Sequence, residues 1–167
     1  MSEDKTIEIL KSAILLEKKG QAFYSKIARQ AAGKAVKTFF ELMADEEVKH
    51  VAILTEQFKA YRQNKKFNPG DYQKERGDGI SAKVLTKDLK KEMSAADYEA
   101  AAISAAMAME KNAIQLYSDR AADASDSNEK ALYKWLAEWE VQHLNFLAEI
   151  DKELTEQVWY DNNFWPF

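Results

Sequence analysis

The chain contains only two histidines, and each follows a glutamate by three residues: Glu47 and His50 in "DEEVKH", Glu140 and His143 in "EWEVQH". Residues three apart on a helix share a face about one turn apart. Each pair therefore offers a carboxylate and an imidazole side by side. Thirty residues before each of these glutamates stands another, Glu17 and Glu110. Four carboxylates and two imidazoles suit iron or manganese, with zinc able to occupy such a set on raw affinity. One such pair alone is commonplace as exposed surface. Two pairs that use every histidine, each with its upstream glutamate, point to a two-metal centre. The candidate metal ligands are thus Glu17, Glu47, His50, Glu110, Glu140 and His143.

Four helices are needed to position them. Long Ala-, Leu-, Glu- and Lys-rich segments with apolar residues at helical spacing predict helices over about 5–31, 35–64, 95–124 and 128–156. The first pair meets at "AAGKA", where Gly33 suits a helix C-terminus. The second pair meets at the turn-and-cap cluster "ASDSN". Ser94 and Asp97 resemble a weak capping box opening the third helix. Only the middle connection, about 65–94, is long, and it collects Pro69, Gly70, Gly77 and Gly79. The fold class is therefore all-α: a four-helix bundle of two antiparallel hairpins joined by a long crossover.

The hairpins are copies of each other. An offset of 93 carries residues 17, 47 and 50 onto 110, 140 and 143, and lays "LEKKGQAFYS" over "MEKNAIQLYS" without gaps. Polar residues recur as faithfully as apolar ones, which marks an internal duplication. In an antiparallel hairpin, two residues share a level when the turn lies midway between them. Position 32 is midway between 17 and 47, and position 125 midway between 110 and 140, each inside a turn signal. Glu17 should face the Glu47/His50 pair, and Glu110 the Glu140/His143 pair. The same periodicity puts them on the apolar inward stripe, beside Leu10, Ile14, Tyr24 and Ala28 in the first helix. Uncompensated carboxylates there would cost several kcal/mol each or stay protonated. Two divalent cations neutralise all four.

Other residues surround this layer. Tyr24 and Tyr117 each follow an upstream glutamate by seven residues. They read either as donors to a carboxylate or as core tyrosines. Gly20 and Ala113, small and inward-facing, either leave space for an exogenous oxygen ligand or permit close helix packing. Glu46 could orient the histidine of the other half, but its counterpart Trp139 cannot accept a hydrogen bond, so a solvated Glu46 is the favoured reading. The aromatic end 157–167, "VWYDNNFWPF" with the preceding Gln157, is expected to pack on the bundle or a subunit interface.

Composition limits the alternatives. The net charge of −4 comes without a basic stripe; Lys65, Lys66, Lys87, Lys90 and Lys91 sit near Asp88 and Glu92, so no nucleic-acid partner is expected. No apolar run approaches the roughly 20 residues of a membrane span. The acidic start lacks a signal-peptide core, so the expected location is cytoplasmic. Zero cysteines exclude disulfides, thiolate metal sites and a cysteine nucleophile within these residues.

Glu17, the Glu47/His50 pair, Glu110 and the Glu140/His143 pair, with Tyr24 seven residues on, resemble the ferritin-like domain of the rubrerythrin family over roughly 5–156. The resemblance implies a bundle domain over 1–156 holding two iron ions, often as a homodimer. It also implies reduction of hydrogen peroxide with electrons from an external donor such as a rubredoxin-type protein. Two departures stand out. No cysteine-bearing rubredoxin domain is expected within these 167 residues, which contain no cysteine. The extra glutamate that rubrerythrins tend to carry three after the third-helix ligand is replaced by Ala113, which brings the ligand set closer to that of bacterioferritin. The leading reading is a di-iron oxidoreductase acting on peroxide or dioxygen, with Glu17, Glu110, Tyr24 and Tyr117 as candidate catalytic residues. The alternatives are a ferroxidase that handles iron, or a non-enzymatic bundle with a structural metal.

Overall fold

The computed structural model describes residues 3–70, 72, 89, 92 and 98–161. Among them are four helices: α1 (Glu3–Gln30), α2 (Lys34–Asn64), α3 (Tyr98–Asp123) and α4 (Ser127–Asp161). α1 packs along α2, α3 packs along α4, and α1 also touches α3. This is an all-α four-helix bundle built from two hairpins.

The helix ends follow from local chemistry. Asp126 begins α4: its Oδ1 accepts from the backbone N–H groups of Asn128 at 2.8 Å and Glu129 at 3.0 Å, satisfying donors that the first turn leaves free. No glycine or proline interrupts 127–161, and α4 runs past the expected end at 156 to Asp161. The side chains of 157–167, expected to pack on the bundle or a subunit interface, and the capping box of Ser94 and Asp97 lie outside what is described.

Gly33 differs from expectation. It does not close α1 in a left-handed conformation; with φ −82° and ψ 137° it precedes α2 as an extended N-cap. Glycine has no side chain to cap with, and the cap comes from the crossover. Glu92 accepts from the N–H of Ala35 at 2.7 Å and of Val36 at 3.3 Å. A Cβ on Gly33 would overlap the Glu92 side chain. The start of the crossover is also pinned. Gln57 bonds the backbone N–H and C=O of Asn68 and the Tyr72 hydroxyl, while Phe67 is buried.

Two apolar clusters form the core. One gathers Tyr24, Phe39, Phe40, Met43, Ile103 and Leu147. The other gathers Leu10, Leu54, Tyr117, Leu132, Tyr133, Trp135 and Leu136. Between them, at mid-height of the helices, the core is interrupted by a layer of buried acids and imidazoles.

Candidate metal centre

All six candidate ligands lie in that layer, each no more than 4% exposed. α1 contributes Glu17, α2 Glu47 and His50, α3 Glu110, and α4 Glu140 and His143. They form two overlapping groups of four: Glu17, Glu47, His50 and Glu140, and Glu47, Glu110, Glu140 and His143. Within each group the donor atoms all lie within 4.8 Å of one another. Glu47 and Glu140 belong to both. The glutamates of the ExxH pairs are therefore the shared members, and Glu17 and Glu110 serve one group each.

The imidazoles present the same nitrogen inward. His50 Nδ1 is 3.2 Å from Glu17, 3.5 Å from Glu47 and 3.0 Å from Glu140. His143 Nδ1 is 3.5 Å from Glu47, 3.6 Å from Glu110 and 3.0 Å from Glu140. The two rings lie 6.0 Å apart and 28° from parallel, with Glu140 reaching both.

The outer layer crosses between the hairpins. Tyr24 on α1 donates to Glu110 on α3, and Tyr117 on α3 donates to Glu17 on α1. Each tyrosine follows the glutamate of its own helix but bonds the glutamate of the other half. Each also stacks on an aromatic ring 93 residues from its counterpart, Tyr24 on Phe40 and Tyr117 on Tyr133.

Glu46 is not solvated. It is buried, accepts from Trp139 Nε1 at 2.9 Å and lies 2.6 Å from His143 Nε2. Trp139 cannot accept a hydrogen bond, but its indole donates one. The signal was present: the offset of 93 places Trp139 opposite Glu46, a donor facing an acceptor. The indole of Trp135, which packs edge-on to His50 as that of Trp139 does, carried no spacing signal that set it apart from ordinary core.

Burial and charge set the protonation of this layer. Burial first, then the charge of Glu140, pushes Glu110 up to about 7 and Glu47 well above the usual carboxylate range. Burial opposes the charge of Glu140, yet His50 and His143 hold it well below that range. Burial likewise opposes protonation of both histidines, and the surrounding glutamates outweigh it, raising them well above the ordinary imidazole value. Tyr24 and Tyr117, raised by burial and then by Glu110 and Glu17 respectively, stay protonated donors. Burial works against Glu46 too, but His143 and Trp139 keep it ionised.

Metal chemistry fits these donors. Both oxygens of Glu140 and the Nδ1 of His143 are buried with no hydrogen-bond partner, although they approach each other to 3.0 Å. The donor atoms of each group of four lie close enough to face one centre, without the alignment that a hydrogen bond needs. Buried polar atoms left without a hydrogen bond are costly, and a cation taking the place of the histidine proton removes that cost. Beside the carboxylates a cavity of about 20 Å³, lined by Gly20, Tyr24, Ala113, Leu16 and Met109, has room for about one water-sized molecule. Gly20 and Ala113 line this space from α1 and α3.

A family model described as Rubrerythrin matches residues 8–151. No curated protein and no solved structure matches the chain.

Proposed function

This chain belongs to the rubrerythrin family, and from that premise we propose that it is a di-iron oxidoreductase reducing hydrogen peroxide or dioxygen with electrons from an external donor. The observation that carries the reading is the buried layer of four glutamates and two imidazoles. Its central carboxylate, Glu140, has no hydrogen-bond partner for either oxygen.

Glu17, His50 and the shared Glu47 and Glu140 would hold one iron; Glu110, His143 and the same shared pair would hold the other. A bound iron pair supplies two electrons, one from each metal, to a substrate oxygen–oxygen bond. The chain supplies the setting. The cavity beside Glu47 and Glu140 admits a molecule of few atoms. Tyr117 and Tyr24 hold Glu17 and Glu110 by one oxygen each, leaving the second oxygen to bind or swing. In the metal-free chain Glu110 is raised to about 7, so it must release a proton when a cation binds.

With no cysteine among these 167 residues, the electrons enter from a group outside them, such as a rubredoxin-type protein. A homodimer and a cytoplasmic location belong to the same reading. Among the described residues no helix is long and apolar enough to cross a membrane. A second reading, oxidation of Fe²⁺ for storage, is favoured by Ala113, which stands where rubrerythrins tend to carry an extra glutamate. It lines the cavity here.

Anaerobic stopped-flow mixing of the iron-loaded, reduced protein with peroxide and, separately, with dioxygen tests the proposal. Oxidation much faster than that of free Fe²⁺, repeated on re-reduction, supports the oxidoreductase. Oxidation that consumes added Fe²⁺ in excess of two per chain favours iron handling. Bound metal without any redox response marks a structural site.

A further inference from the structure

Among the six candidate ligands and the side chains that hydrogen-bond them, the duplication is faithful at every pair except one. Glu17 and Glu110, Tyr24 and Tyr117, Glu47 and Glu140, and His50 and His143 are like pairs at an offset of 93. Glu46 and Trp139 are the unlike pair. They also touch: Glu46 accepts from the indole N–H of its own counterpart at 2.9 Å. The same carboxylate oxygen lies 2.6 Å from His143 Nε2. Trp139 therefore occupies the position from which a carboxylate would reach His50, and its N–H is turned to Glu46 instead.

The outward nitrogens of the two histidines end in different surroundings. His143 Nε2 has a buried carboxylate. His50 Nε2 is buried with no protein partner. Its ring is walled by Trp139 at 5.6 Å and 89° and by Trp135 at 5.6 Å and 80°. Neither indole can accept a hydrogen bond in its plane.

We infer that Glu46 makes the two cation positions unequal: the one served by His143 and Glu110 binds the first divalent ion, and the one served by His50 and Glu17 binds the second, more weakly. This rests on the metal-centre reading above. A carboxylate accepting from Nε2–H fixes the tautomer that leaves the Nδ1 lone pair inward, and it raises the basicity of that ligand. It also adds a negative charge behind His143 in a medium of low dielectric. His50 receives neither effect. Glu46 is thus a positioning residue acting through His143, and the Trp139 indole N–H holds it in place.

Titration of the metal-free full chain with Co²⁺, followed by calorimetry and by visible absorption, reads the two steps. Two steps of one ion each, at least tenfold apart, are expected. His143→Ala should abolish the tighter step and His50→Ala the weaker. Glu46→Gln keeps an oxygen for the indole N–H but removes the charge, and should weaken the first step by about ten- to a hundredfold while moving the second by less than about threefold. A purely structural role would weaken both steps alike, and that result overturns the inference. So do two ions bound at a single affinity by the unaltered chain, a measurement that depends on no variant folding. Trp139→Phe, which spares the carboxylate, should narrow the gap without reversing the order; reversal overturns it. Absence of any Co²⁺ binding instead defeats the metal centre itself, so the two failures are distinct.

Discussion

The Tyr24 hydroxyl and the Glu110 carboxylate, 86 residues apart in the chain, share a buried hydrogen bond that ties the first hairpin to the second. Tyr117 and Glu17 repeat it in the opposite direction. The duplicated halves are therefore stitched through the centre itself, each lending a phenol to the other's glutamate.

Removing one stitch should be measurable. Tyr24→Phe leaves a buried carboxylate short of a donor, and hydrogen bonds to charged groups are worth about 1.5–3 kcal/mol. Urea denaturation of the metal-free protein should show a loss of that size, with Tyr117→Phe similar. The double variant should depart from additivity, because both carboxylates sit in one network. A loss below about 0.5 kcal/mol for each would show that the phenols merely pack.

Acidity should stabilise the metal-free protein between about pH 5 and 7.5. Glu110 has a folded value of about 7, above that of an unfolded glutamate, and Glu47, His50 and His143 are also raised. Over that interval the folded chain binds more protons than the unfolded one, so stability falls as pH rises. Glu140 is lowered, so its contribution is lost at the other end, as pH falls below the usual glutamate value. Thermal unfolding should show a maximum near pH 5 without metal. With Fe²⁺ or Co²⁺ added anaerobically the optimum should move upward, because ligands must shed protons to bind. A melting temperature of the metal-free form that rises from pH 5 to 7.5 would contradict this.

Shared and unshared carboxylates should differ in metal stoichiometry. Glu140 belongs to both groups of four, Glu17 to one. Glu17→Gln should retain about one ion per chain of the two expected, and Glu140→Gln should lose tight binding of both, by equilibrium dialysis with elemental analysis. Equal losses would mean that the overlap of the groups has no consequence.

Gly20→Ala should separate stability from turnover. A Cβ there would sit 3.4 Å from the Glu47 carboxylate carbon, an ordinary contact, so the variant should fold. Replacing glycine in a helix interior gains roughly 1 kcal/mol. The added methyl narrows the cavity beside Glu47, and the oxidation rate with peroxide should fall several-fold while metal stoichiometry holds. An unchanged rate would show that the oxidant approaches elsewhere.

Gly33→Ala should cost more than propensity suggests. Its Cβ would displace the Glu92 side chain that caps α2, and loss of a cap costs about 1 kcal/mol. If Glu92→Gln and Gly33→Ala destabilise independently and additively in denaturation experiments, the two residues do not act through one contact.

Much of this was legible because the sequence is periodic twice over. Helical spacing put Glu17, Glu47, His50, Glu110, Glu140 and His143 on inward stripes. The offset of 93 paired them, and the midpoints at residues 32 and 125 set them at one level. Gly33 was legible as a boundary but not in its role, since the Glu92 side chain that excludes a Cβ arrives from 59 residues away. Glu46 was misjudged for a similar reason. Position alone makes it the neighbour of a ligand on a charged helix, and only the opposing helix reveals a partner.

The chain by itself determined four helices, their pairing into like hairpins and the level at which the acids meet, because 3.6-residue periodicity and turn position are local properties. Tertiary structure decided which half each tyrosine serves, that Glu46 is buried against Trp139, and that His50 is left without an acceptor. Those outcomes depend on how two helices from different hairpins face one another. Side chains 86 to 100 residues apart meet only when the bundle closes, and which donor meets which acceptor is set by that packing.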